Sequence, residues 1–81
     1  MIHARNDYNR IQDPANLIPI TEPVFLLRAQ DSLASKTVGY WADLNDQNGG
    51  DPELSQKARE HALKMQDWPT HKLPDGRPAK I

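Results

Sequence analysis

Eighty-one residues, with ten Lys or Arg against eleven Asp or Glu and a net charge of −1, make one domain at most and offer duplex DNA no basic surplus. Cysteine is absent, which excludes a disulfide framework and a thiolate metal site, and the three histidines, His3, His61 and His71, share no metal-ligand spacing. A chain this short buries only about 60–65% of the surface its unfolded form exposes, so with staples and metals set aside a homo-oligomer is the expected source of stability.

The longest apolar run, Val24-Phe25-Leu26-Leu27, is far too short to span a membrane. The first residues carry no apolar stretch suited to a signal peptide, so a cytoplasmic protein with no membrane partner is expected. Charge is unevenly spread: residues 22–68 hold five basic and eight acidic side chains, a net of −3, whereas residues 69–81 hold three basic and one acidic, a net of +2. An acidic folded part disfavours nucleic acid.

In chain order, residues 1–21 read as a flexible arm. Asp7 to Gln12 has the makings of a helical turn before Asp13-Pro14 interrupts it, and Tyr8 and Ile11 offer docking points on the body or on a second subunit. Leu17-Ile18-Pro19-Ile20 is apolar but proline-broken, an extended edge or linker piece. Residues 24–27 form the clearest strand candidate, apolar on both alternating faces as a buried strand would be; one and a half helical turns over 24–30 is the competing reading. A lone strand leaves its backbone groups unpaired, and the same strand of another copy is a serious candidate partner.

The first helix is expected over about 32–48, capped by Asp31, Ser32 or Ser35, with Leu33 or Ala34, Val38, Trp41 and Leu44 on one face and Ala42 flanking them. Gly39 in its middle either weakens it or permits a close backbone approach. Asn48-Gly49-Gly50 ends it. The second helix, about 52–68, has Asp51 as N-cap, Pro52 at its first position and Glu53 at the positive end of its dipole. Leu54, Ala58, His61, Ala62, Met65 and Trp68 step along one face, and Pro69 stops it. Two amphipathic helices so closely joined should pack antiparallel, with Trp41, Leu44, Leu54, Met65 and Trp68 in the seam. Residues 69–81, with three prolines, read as a flexible tail. The fold class is thus mainly α: an antiparallel hairpin within a 22–68 core, preceded by a short buried strand or extended segment.

No arrangement points to catalysis. Ser32 and Ser35 precede a helix, where capping explains them, and no nucleophile elbow surrounds either. His61 and Glu60 lie about 100° apart on their helix and do not face one another; His61 reads as packed against apolar neighbours. Asp43, Asp46, Asp51 and Glu53 cluster at the hairpin turn without the spacing of a calcium loop, so solvated capping acids are expected there and no metal or cofactor. Lys57, His61, Lys64 and Trp68 run down one line of the second helix, either a phosphate-and-base platform or a solvated border with lysine stems over the core. Arg28-Ala29-Gln30-Asp31 is a polar cluster before a helix start, whose free N–H groups attract anions; Arg28 offers a forked donor and Lys36 lies one turn along. The structural alternative pairs Arg28 with Asp31. Residues 35–41 resemble a helix-turn-helix recognition helix over seven positions, with no convincing helix before them.

The stretch Glu22-Pro23-Val24-Phe25-Leu26-Leu27-Arg28-Ala29-Gln30-Asp31, followed by Val38, Tyr40-Trp41-Ala42, Gly50-Asp51-Pro52-Glu53, Glu60-His61-Ala62, Met65 and Trp68, resembles a group of small uncharacterised proteins of tailed phages and prophages. That resemblance implies a phage-made accessory protein in a bacterial cytosol, and no activity comes with it. The expectation drawn is a non-catalytic, counter-defence binder that sequesters a small anionic, nucleotide-derived ligand where subunits meet. Arg28, Gln30 and Lys36 would hold phosphate, and Tyr8, Tyr40 or Trp68 would stack. An inhibitor that binds a host protein directly is the alternative, and a helix-turn-helix-like DNA regulator a further one.

Overall fold

The computed structural model describes residues 1–4, 12–75 and 77–78. In chain order it contains β1 (Ile2–His3), β2 (Pro23–Val24), α1 (Ala34–Gln47) and α2 (Pro52–Gln66). The two helices pack as a hairpin, so the molecule is mainly helical, as its two amphipathic runs predict. The expected helical turn at 7–12 and the docking of Tyr8 and Ile11 lie almost wholly outside the described residues.

The strand prediction is met in kind and shortened in extent. β1 and β2 pair in parallel, Ile2 opposite Pro23 and His3 opposite Val24, and the Ile2 N–H donates to the Glu22 carbonyl at 2.7 Å. The partner of the 24-strand is therefore the chain's own N-terminal end, and a second copy is not needed for that pairing. The proline-broken 17–20 segment is no edge strand, because side-chain chemistry turns it. The Asp13 carboxylate accepts from the Leu17 N–H at 3.1 Å and the Ile18 N–H at 3.0 Å, while Asn16 takes a positive φ of 53°. Beyond Val24 the chain leaves the sheet, and Phe25 is 71% exposed rather than buried.

α1 starts at Ala34, three residues after Asp31 and two after Ser32. The Asp31 carboxylate accepts from the Leu33 N–H at 2.8 Å and its carbonyl from the Ala34 N–H at 3.0 Å, which leaves Leu33 at the cap position with no side-chain cap. The far end is a Schellman closure. Gly49 sits at φ +74° and its N–H donates to the Asp46 carbonyl, while the Gly50 N–H reaches back to the Asn45 carbonyl at 2.8 Å. Turn geometry calls for glycine at Gly49, and a Cβ on Gly50 would overlap the Asn45 carboxamide and push that side chain off its contacts with Asp51 and Ser55. Gly39 differs: a Cβ there would meet nothing, so no close backbone approach occurs within the protomer. α2 begins as expected, with the Asp51 carboxylate accepting from the Glu53 N–H at 2.9 Å and Pro52 at the first position.

The seam is where expectation and structure part. Met65 is buried, but Trp41, Leu44, Leu54 and Trp68 remain between 37% and 53% exposed. The buried side chains at the contact are instead Ala34, Ala42, Ser55 and Ala62, with Val38 and Ala58 half-buried beside them. Small residues at steps of 4 and 4 on α1, and of 3 and 4 on α2, let the helices approach closely, and bulky side chains are displaced to the margins. Ala42, read as a flank, is central. His61, read as packed, is exposed.

The tail folds back onto the body. Lys72 lies beside the start of α1: its N–H donates to the Gln30 carbonyl and its carbonyl accepts from the Ser32 N–H, each at 2.7 Å. Lys72 also bridges antiparallel to Pro78, and the Leu73 N–H donates to the Arg77 carbonyl.

Candidate functional site

The polar cluster before α1 is a tight turn in which the Asp31 N–H donates to the Arg28 carbonyl at 2.9 Å. Arg28 is exposed, Gln30 half-buried, and Lys36 projects from the first turn of α1 into solvent. Three N–H groups at the entry to α1 already have partners. Ser32 gives its N–H to Lys72, Leu33 to the Asp31 carboxylate and Ala34 to the Asp31 carbonyl. The Asp31 carboxylate thus takes a backbone donor that an anion would otherwise use.

Tyr40 lies one turn beyond Lys36 on the same side of α1, its ring 63% exposed, and Trp68 stands 53% exposed just past α2. Tyr8 is outside the described residues. Arg28 and Gln30 thus share one turn, Lys36 and Tyr40 share one helix face, and Trp68 belongs to the other helix. Sequence reading missed Lys72, which the returning tail sets beside Gln30 as a further basic residue; neither periodicity nor composition signals that contact. Lys57, His61, Lys64 and Trp68 are all exposed, in keeping with a solvated border on α2.

The acids at the hairpin turn have found partners. Arg59 on α2 reaches across to Asp43 at 2.8 Å and Asp46 at 2.7 Å on α1, a clamp between adjacent turns. Beneath it lies a polar node. Ser55, with no exposed surface, accepts from Asn45 Nδ2 at 2.8 Å, and the same nitrogen donates to the Asp51 carbonyl at 3.1 Å. The Ser55 hydroxyl has one proton and two acceptors within reach, the Ala42 carbonyl at a long 3.3 Å and the Asp46 carboxylate. That hydroxyl first, and the Arg59 guanidinium second, hold the Asp46 carboxyl below its ordinary value. Asp43, then Asp46, hold Arg59 more firmly protonated. Two acids three apart facing one Arg on the partner helix were the available signal for this clamp.

An open groove of about 360 Å³ runs beside the sheet, lined by Ile2, His3, Ala4, Pro23, Val24 and Phe25. Its lining is mostly apolar, and the buried His3 Nδ1 has no hydrogen-bond partner among the described residues, nor does the buried Ser32 Oγ. No group of three metal-ligating side chains comes together among the described residues, and no helix there is long and apolar enough to cross a membrane.

The class that fold and site define is a two-helix hairpin with a small parallel sheet and several exposed large apolar side chains. Compared with protein families, curated proteins and solved structures, the chain matches none.

Proposed function

We propose that this chain is a non-catalytic binding protein that works as a self-associated assembly and holds its ligand where copies meet. One observation carries the reading, the mismatch between apolar content and apolar burial. Leu17 and Ile20 are 80% and 86% exposed, Leu63 and Tyr40 more than 60%, while the buried apolar core among the described residues consists of three alanines and Met65.

The ligand chemistry in this reading is a small nucleotide-derived anion, with Arg28, Gln30 and Lys36 for its phosphates and Tyr40, Trp68 or Tyr8 for its base. What supports it is the exposed forked donor of Arg28 on a turn, and rings with free faces. The origin in a phage, the bacterial cytosol as the place of action and a counter-defence role rest on the resemblance of the 22–68 pattern. Titration calorimetry of the purified protein against cyclic dinucleotides and ADP-ribose derivatives tests the ligand. Saturable heat that is lost in Arg28→Ala is the expected outcome, and silence across the panel removes the anion reading.

A second reading is direct blockade of a host protein, favoured by Phe25 and Leu26, which leave the sheet exposed at the end of β2. A stoichiometric complex abolished by Phe25→Asp would support it over the first.

A further inference from the structure

α1 carries two apolar faces, and only one of them meets α2. Ala34, Val38 and Ala42 point inward, while Leu33, Thr37, Tyr40 and Leu44 recur at steps of 4, 3 and 4 on the side away from the partner helix. Leu33 is 50% exposed, Tyr40 63% and Leu44 37%, with Trp41, 46% exposed, at the border. This is the spacing of a coiled-coil seam. Its one polar member suits such a seam, because the Thr37 hydroxyl already donates to the Leu33 carbonyl at 2.8 Å and presents no unpaired group to a partner.

We infer that the outer face of α1 packs antiparallel against α1 of a second copy. The inference rests on the self-association reading above and names the surface responsible. Charge selects the occupant and its direction. Lys36 and Asp43 are seven residues apart and so flank the same edge of the stripe. In an antiparallel pair with Leu33 opposite the other copy's Leu44, and Thr37 opposite its Tyr40, each Lys36 meets the other copy's Asp43, twice by symmetry. A parallel pair would instead set Lys36 against Trp41 and Asp43 against Asn48, with no charge match. Asp43 has an oxygen to spare, since Arg59 binds only Oδ1. In this arrangement Tyr40 and Lys36 serve the interface, and Arg28, Gln30 and Trp68 remain for the ligand.

Sedimentation velocity across a dilution series, with circular dichroism to confirm retained helix, tests the arrangement. The wild-type chain is expected to associate, and Tyr40→Glu, a change at an exposed position, to raise the dissociation constant by more than about tenfold. Lys36→Glu alone should weaken association, and adding Asp43→Lys should restore it, with the urea midpoint of Asp43→Lys alone separating the lost Arg59 contact from the interface. A monomeric wild-type chain overturns both this interface and the self-association reading. An assembly indifferent to Tyr40→Glu overturns the interface alone, and failure of the double exchange to restore association overturns the antiparallel register.

Discussion

Ser55 is fully buried against α1, and its hydroxyl serves both as acceptor for Asn45 and as donor to the Ala42 carbonyl. Ser55→Ala keeps the volume small but leaves Asn45 one acceptor short, a loss of about 1–2 kcal/mol. Ser55→Val removes the same bonds and adds bulk between the helices, so its cost should exceed that of alanine by a further 1–3 kcal/mol, roughly. Urea midpoints of the two variants give the order directly. Above this node the Arg59 clamp responds to acid. The folded chain holds Asp46 below its ordinary value, so the clamp's contribution is complete above the usual carboxylate range and is lost as pH falls through the folded value, below about pH 4. Arg59→Gln should therefore lower stability at neutral pH and flatten its acid dependence, measured as urea midpoints between neutral and strongly acid buffer.

The helices were legible because each carries its own punctuation. Asp51, Pro52 and Glu53 announce one start, and Asn48, Gly49 and Gly50 one stop; the structure adds only that the two glycines close a Schellman turn around Asn45. Their mutual packing was harder to read. Hydrophobic periodicity weights Trp41 and Leu44 above Ala42, yet closeness of approach rewards the smallest side chain, and that is decided by two helices jointly rather than by either alone. β1 could not be seen at all, since two residues give no period, and the Lys72 contact joins segments that share no local pattern. The candidate ligand residues were legible as types and not as a site: Arg28 and Gln30 lie on one turn, while Trp68 belongs to another element. Gly39 provides a test at this scale. Its Cβ position is open, so Gly39→Ala should raise helix stability by up to about 1 kcal/mol, read as a higher thermal midpoint. A fall would mean that another copy packs against that glycine.

At the scale of the whole molecule, the apolar exposure of Leu17, Ile20, Phe25, Tyr40 and Leu63 is what an assembling protomer would show before assembly. The alanine-lined contact between α1 and α2 gives this molecule an unusual map of tolerance. In most small domains, trimming the largest apolar side chains exposes the weak points of the fold. Here, shaving Trp41 or Leu63 should scarcely disturb the protomer, whereas one additional methylene at Ala42 or Ala62 would prise its halves apart. Bulk governs company and smallness governs shape, so dilution and heat would sort the same set of variants into two different orders.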